Sequence, residues 1–286
     1  MYIYRQFTRL QEGFGANKGD TVQFTKRLRI DTRGGTLTET TTMPRNTIKF
    51  VKSSVTVNEY GNAVDYTGKL EDLAEFNVRD QFAAGLVDDQ KDTLDRAVQT
   101  QMTGNDLKAT ASTTATTATV TTGTATVTAS ANPSDKNLRD IVDELDRRQT
   151  PLYEGGNFYM GILSVNAMRG VYDFLQAVAQ YADPEFRFTN EVGQYYSCRM
   201  IKDRNILPNN IGLNSAYGAA LFFGDDVVLE AVSVPEELRY QETDVGRSKT
   251  LAWYAILGFQ RTWDLSSDDL NSTGNGVERI IHLTSA

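Results

Sequence analysis

Cysteine and histidine are nearly missing from this 286-residue chain, which has one of each, Cys198 and His282. A single cysteine excludes an intramolecular disulfide and a cysteine-based metal cluster. A single histidine excludes a multi-histidine metal site, and any Ser-His-Asp triad would have to be built on His282. No stretch approaches the roughly 18 apolar residues of a membrane-spanning helix. Met1 to Gln6 carry no apolar signal core. Cations are also scarce, with 29 Lys and Arg against 37 Asp and Glu, for a formal charge of −8. Tight binding of nucleic acid needs clustered cations, and most of the chain lacks them.

What remains is ordinary globular material, 40% hydrophobic and 23% charged, enough for one large domain or two small ones. The first 33 residues differ in charge. Arg5, Arg9, Lys18, Lys26, Arg27, Arg29 and Arg33 are opposed only by Glu12, Asp20 and Asp31. This stretch reads either as a loosely ordered end or as an arm that reaches an acidic neighbour.

Residues 32–67 are rich in threonine. Ile48 and Phe50, then Val55 and Val57, alternate with polar residues. Such alternation predicts strands. It suggests a long two-stranded hairpin with a polar tip near Glu39 to Pro44 and a bulge near Val51 and Lys52. An isolated hairpin is not stable in water, so this one is expected to lie on its own domain or on another subunit.

From residue 68 the period changes. Leu70, Leu73, Phe76, Phe82, Leu86, Leu94, Val98 and Met102 form an interrupted helical stripe. Thr67 is the expected N-cap, Gly104-Asn105 the expected stop, and Gly85 a possible bend. One helix of about 30 residues would be roughly 45 Å long. With one narrow apolar stripe, it is expected to lie across a sheet with its other face open.

Residues 109–132 are almost all Ala, Thr, Val and Ser, nearly symmetric about Thr122-Gly123. They suggest a small hairpin centred there, with a flexible linker as the other reading. Ser134 is expected to cap a helix carrying Leu138, Ile141, Val142 and Leu145. A strand at Phe158 to Val165 follows, then a helix capped by Asn166. Further strands are expected at Val192 to Ile201, Ala219 to Phe223, Val227 to Val234, Thr250 to Phe259 and Val277 to Leu283. The order gives an α+β chain.

No catalytic constellation rises above background. Asp225-Asp226 and Asp268-Asp269 read as turns or caps and lack calcium-loop spacing. Glu191, Glu230, Glu236, Glu237 and Glu242 form no recognisable acid pair. His282 and Cys198 sit in apparent strands and read as structural. Tyr195-Tyr196, Phe222-Phe223 and Trp253-Tyr254 read as strand pairs whose members point to opposite faces.

Certain segments, in order, carry a resemblance: Gly19-Asp20-Thr21-Val22, Val55-Thr56-Val57-Asn58-Glu59-Tyr60-Gly61-Asn62-Ala63-Val64, Leu70-Glu71-Asp72-Leu73, Leu94-Asp95-Arg96, Glu191-Val192-Gly193 and Gly246-Arg247-Ser248-Lys249-Thr250-Leu251-Ala252-Trp253. Together they resemble the major capsid proteins of tailed phages, with the Hong Kong-97-type fold, in the branch typified by podoviruses. The likeness covers nearly the whole chain. It implies an N-terminal arm at 1–31, an extended E-loop at 32–67 and a peripheral domain at 68–151. That domain would hold a spine helix at 68–103, a threonine-rich outer hairpin at 109–132 and a helix at 134–149. An axial domain at 152–235 would follow, and residues 236–286 would return through the peripheral domain to a last axial strand.

The function so implied is a non-enzymatic shell subunit that forms hexamers and pentamers of an icosahedral capsid. The shell encloses double-stranded DNA without sequence-specific binding, cofactor, metal or membrane. Expected partners are other copies of the chain, portal and scaffolding proteins, and a decoration protein. The expected location is the virion, with assembly in the host cytoplasm. Only about 18 residues precede the Gly-Asp-Thr-Val match, so a scaffolding region is expected in a separate protein or to be already absent. No pattern assigns an isopeptide crosslink. An encapsulin-like compartment shares the fold, and a hydrolase using paired acids is the alternative from another class. For the shell, the candidate interface residues are Arg5, Arg9, Arg27 and Arg29 on the arm. Glu39, Arg45, Lys49 and Lys52 are those of the E-loop, and Asp88, Asp89, Asp92 and Asp95 those of the spine helix.

Overall fold

The computed structural model describes residues 2–10, 19–27, 35–40, 42, 43, 45, 48, 50–113, 117–179, 191–263 and 278–286. In chain order these give β1 (Thr8–Leu10), β2 (Thr21–Arg27), β3 (Phe50–Thr56), β4 (Asn58–Thr67), α1 (Gly68–Leu73), α2 (Val78–Thr103), β5 (Leu107–Thr110), β6 (Thr119–Thr122) and α3 (Asp135–Arg147). After these come β7 (Tyr159–Leu163), α4 (Val165–Ala179), β8 (Glu191–Tyr195), β9 (Cys198–Lys202), β10 (Ala220–Phe223), β11 (Val228–Thr243), β12 (Ser248–Arg261) and β13 (Ile280–Leu283). The chain divides into two units, one of Met1–Gln23, Ser54–Gln101 and Val228–Gln260, the other of Phe24–Ser53, Met102–Val227 and Arg261–Ala286.

The first unit is a four-stranded sheet, ordered β1-β11-β12-β4, packed on α2. Burial alternates along β12, where Leu251, Trp253, Ala255 and Leu257 turn inward, as a half-buried strand requires. Trp253 donates its indole N–H to Asp89 of α2 at 2.8 Å, and Tyr66 of β4 meets Phe82 edge-on at 5.4 Å. β12 and β4 pair antiparallel from Ser248↔Thr67 to Leu257↔Asn58. Gly258 is fixed by a close approach, since a Cβ there would sit 2.2 Å from the Thr56 carbonyl oxygen.

The expected single long helix is two helices. Thr67 caps α1 as predicted, accepting from the Leu70 N–H at 3.2 Å. Ala74 then turns extended, with ψ 141°. Asn77 starts α2 by accepting the Asp80 N–H at 3.2 Å. The local cap at Asn77 wins over the apolar stripe. What remains, α2, has 26 residues and runs unbroken through Gly85, about 39 Å at 1.5 Å per residue. The stripe changes as well. Leu86, Leu94, Val98 and Met102 are buried, but Leu70, Leu73 and Phe76, expected in the same core, are exposed.

The ribbon also differs from the expected hairpin. β3 pairs with β2 and not with the strand that follows it, while β4 joins the four-stranded sheet. The two arms are therefore 21–27 and 50–56, so the ribbon draws on the end of the expected arm and uses only part of 32–67. The break falls at Val57, whose N–H donates to the Asp20 carbonyl at 2.9 Å, and not at Val51 or Lys52.

The second unit is built on a seven-stranded sheet, ordered β6-β5-β13-β10-β7-β9-β8. Its core joins Leu138, Ile141 and Leu145 of α3 to Met168 of α4, Tyr159 of β7 and Phe222 of β10. Ser134 caps α3 as expected, and it forms a capping box with Asn137. The α3 helix and the β5–β6 pair thus belong with this sheet, whereas the resemblance placed both with the spine helix. β5 and β6 pair from Leu107↔Thr122 to Thr110↔Thr119, and Gly123, at φ 87°, follows the pair. Thr122 is therefore a strand residue and not the centre of a hairpin turn. The α4 helix starts at Val165, with its cap two residues before the expected Asn166: Ser164 accepts the Ala167 N–H at 3.4 Å. The strand expected at Val192 to Ile201 is a hairpin, β8 to β9. Tyr196 and Ser197 form its two-residue turn, at φ 45° and 57°, the left-handed pair such a turn needs. Tyr196 is therefore a turn residue and not the second member of a strand pair.

Candidate functional site

The N-terminal segment is held by one carboxylate. Asp95, on α2 and 2% exposed, accepts the backbone N–H of Ile3 at 2.6 Å, Tyr4 at 3.1 Å and Arg5 at 3.0 Å. Burial raises its pKa against the lowering effect of these donors. Arg5 gives its guanidinium to Glu230 at 2.6 Å and to Glu236. Burial opposes the Arg5 charge, but the two carboxylates prevail and its pKa is raised. Thr8 donates to Glu230 at 2.7 Å, and β1 runs parallel to β11 in the register Thr8↔Val228. Tyr4 and Phe7 are buried beneath this polar frame. Arg5 and Asp95, both expected on subunit interfaces, are thus bonded within the subunit.

The other spine-helix acids divide in the same way. Asp89 accepts from Trp253 and, at 3.0 Å, from Asn62. Asp92 pairs with Arg96 one turn on at 2.8 Å. The Asp88 side chain is 80% exposed, 3.7 Å from Lys91. Arg9, Arg27, Glu39, Arg45 and Lys52 are exposed. Arg29 and Lys49 lie outside the described residues. Of the described candidates, the structure brings together Arg5 of the arm and Asp95 of the helix, the Arg5 N–H donating to the carboxylate at 3.0 Å.

Sequence reasoning missed the apolar surface. Leu37, Met43, Ile48 and Phe50 are exposed on and beyond the ribbon, Phe50 at 63%. Leu73 is 71% exposed and Phe76 56%, and Leu238, Tyr240 and Val245 are exposed on the β11–β12 connection and its approach. Nothing local marked them, since Ile48 and Phe50 share a strand alternation, and Leu73 and Phe76 a helical period, with residues that are buried.

The buried polar groups are structural. His282 accepts at Nδ1 from Lys108 at 3.1 Å, and Lys108 also donates to the Thr103 carbonyl at 2.7 Å. Burial, then the neighbouring ammonium, pushes the His282 pKa down to about 3, and burial lowers that of Lys108. Cys198 is fully buried and its thiol pKa is pushed up by burial, which disfavours the reactive thiolate. Asp226, in a left-handed turn at φ 55°, pairs with Arg279 at 3.4 Å. Glu230 and Glu236 hold Arg5, Glu237 pairs with Arg239 at 2.6 Å, and Glu242 lies 3.8 Å from Lys249. Among the described residues no group of three or more His, Cys, Asp or Glu could hold a metal ion.

No protein-family model matches the chain, and no curated protein matches it. Solved structures do. The capsid of Ralstonia phage GP4 is similar over 98% of this chain and 87% of its own, with a TM-score of 0.71 at 16% identity. The capsid of cyanophage P-SCSP1u is similar over 100% and 88%, with a TM-score of 0.65 at 14% identity. The mature capsid of bacteriophage PhiM1 is similar over 99% and 87%, with a TM-score of 0.63 at 11% identity. The chain has the fold of tailed-phage major capsid proteins, of the Hong Kong-97 type.

Proposed function

We propose that this protein is a major capsid subunit that assembles with copies of itself into a closed shell around double-stranded phage DNA. The observation that carries the proposal is the likeness to phage capsid subunits along essentially the whole chain. Two physical features support it. The ribbon and the α1 region expose large apolar side chains that a solitary subunit leaves in water, a pattern that marks protein–protein contact surfaces. The net charge of −8 suits a container, because each phosphate contact would add salt-dependent affinity for its contents. The role is structural and non-enzymatic, the place is the virion, and hexamers and pentamers follow from heterologous contacts that close into rings. Portal, scaffolding and decoration proteins are the further partners proposed, with assembly in the host cytoplasm. Within this role Arg9, Arg27, Glu39, Arg45, Lys52 and Asp88 remain interface candidates, whereas Arg5 and Asp95 act inside the subunit.

Negative-stain electron microscopy with size-exclusion chromatography of the expressed chain tests this. Shells, tubes or capsomer rings are expected. A species that stays monomeric alone and when co-expressed with the proteins encoded beside it would overturn the proposal.

A further inference from the structure

The face that β11 turns toward α2 is covered at one end and open at the other, all within the first unit. Alternate residues of the strand point that way. The Tyr240 ring lies 4.9 Å from the Arg79 guanidinium of α2, whereas Arg239 stacks at 3.9 Å on Tyr254, on the side away from α2. The row facing α2 therefore includes Glu230, Glu236, Leu238, Tyr240 and Glu242. The N-terminal strap covers its first part. Arg5 reaches Glu230 and Glu236, Thr8 donates to Glu230, and Tyr4 and Phe7 are buried with them. Past Glu236 the row is exposed, Leu238 at 47%, Tyr240 at 39% and the Glu242 side chain at 49%. Two apolar groups and then an acid stand there at two-residue spacing.

β3 carries the complement. Residues two apart in a strand share a face, so Phe50 and Lys52 project together, and both are exposed. Phe50, Leu238 and Tyr240 do not cover one another within the chain, so a contact among them joins two copies. Charge sets the direction. Glu236 already holds Arg5, so the acid that matches a cation two residues after Phe50 is Glu242. Lys249 stands 3.8 Å from Glu242 but bonds Glu71 at 2.7 Å. A carboxylate has acceptor sites for more than one donor, so Glu242 can take a second cation.

We propose that Leu238, Tyr240 and Glu242 are the seat for β3 of a second copy, with Phe50 lying on Leu238 and Tyr240, Lys52 on Glu242, and the two strands parallel. This contact rests on the capsid reading above, and adds to it a surface, partner residues and a direction.

Mixed particles test the seat. One chain carries Phe50→Cys and the other, distinguished by a tag, carries Leu238→Cys, so that a new disulfide joins two copies. Cys198 is fully buried and competes poorly. After oxidation this pair should give at least about fivefold more mixed dimer than Phe50→Cys with Arg239→Cys, which points to the other face, because a disulfide needs its Cα atoms within about 7 Å. Lys52→Glu should lower the yield of particles at least about threefold, because it sets like charges together. Adding Glu242→Lys to the same chain should restore it, with melting temperatures showing that each variant folds. Equal linking by Leu238→Cys and Arg239→Cys, or none with either, would overturn the seat. Wild-type yield from Lys52→Glu, or no restoration in a folded double variant, would overturn the pairing with Glu242 and the direction. If the double variant does not fold, Lys52→Cys with Glu242→Cys decides the direction by the same linking assay. If the wild-type chain forms no particles under any condition, the capsid reading fails. Oxidation of the concentrated, unassembled chains then decides the seat, mixed dimers supporting it and their absence overturning it.

Discussion

Two segments of this chain look alike in sequence and end differently in structure. Residues 2–10 and the β2–β3 ribbon are both short, basic stretches that cannot form a core of their own. The first is locked to its own subunit. It has two buried aromatic side chains, Tyr4 and Phe7, and three backbone N–H groups on one carboxylate. The ribbon has Val55 and Lys26 buried and carries Phe50 in solvent. A short segment becomes an internal strap when it supplies both an apolar anchor and a partner for its orphan donors. Among its described residues the ribbon has one apolar anchor, Val55, and leaves Phe50 open to a partner.

The largest expected effect separates the two by removing the tip. Deleting residues 36–46 should leave a folded subunit with a melting temperature close to wild type but no closed shells, read by thermal denaturation and electron microscopy. Normal particles from this deletion would show that the ribbon is dispensable and that the comparison has no functional content.

Acid separates the units in a second way. The folded pKa of His282 is depressed to about 3 from an ordinary 6.5. Its neutral state is therefore favoured by folding, and the contribution present above pH ~6.5 is lost as pH falls toward ~3. A shift of this size corresponds to several kcal/mol, on the order of 1.4 kcal/mol per unit. Asp95 has the opposite sign: its pKa is raised, so acid does not work against folding through this group. Denaturant titrations between pH 7 and 4 should show falling stability in the wild type and a flatter profile in His282→Gln. Parallel profiles would contradict the assignment.

The strap itself can be cut. Asp95→Ala leaves three N–H groups without their acceptor and should cost about 3 kcal/mol, given the usual penalty for buried unsatisfied donors. Asp95→Asn keeps one acceptor oxygen and should cost less. In both, exchange should rise at residues 3–10 and leave the ribbon untouched. A rise of equal size in both regions would mean that they are not independent. The smallest effect is on the open face of α2. Arg96→Ala removes an exposed pair with Asp92 and should change stability by no more than about 0.5 kcal/mol.

Much of the fold was legible because its signals are local. Thr67 and Ser134 announce helix starts, the α3 stripe has a clean 3.6 period, and β7, β10 and β13 of the seven-stranded sheet are short, mostly apolar runs. What the sequence left hidden depends on partners distant along the chain. Nothing at residues 50–67 says that β3 turns to β2 while β4 turns to β12, since both strands show the same alternation. The break at Ala74–Asn77 was masked by Leu73 and Phe76, which continue the helical period yet lie exposed. The site fared similarly. A count of charges finds Arg5 and Asp95 but cannot tell that each is spent within the subunit, on residues 225 and 90 positions away.

The most direct test of the central contrast is a cryo-electron-microscopy map of assembled particles. The ribbon and residues 35–50 of one copy should lie against a neighbouring copy, covering Phe50, while residues 2–10 remain on the Asp95 of their own chain. A closed shell in which Phe50 still faces solvent, or in which the N-terminal strap is exchanged onto a neighbour, would contradict it.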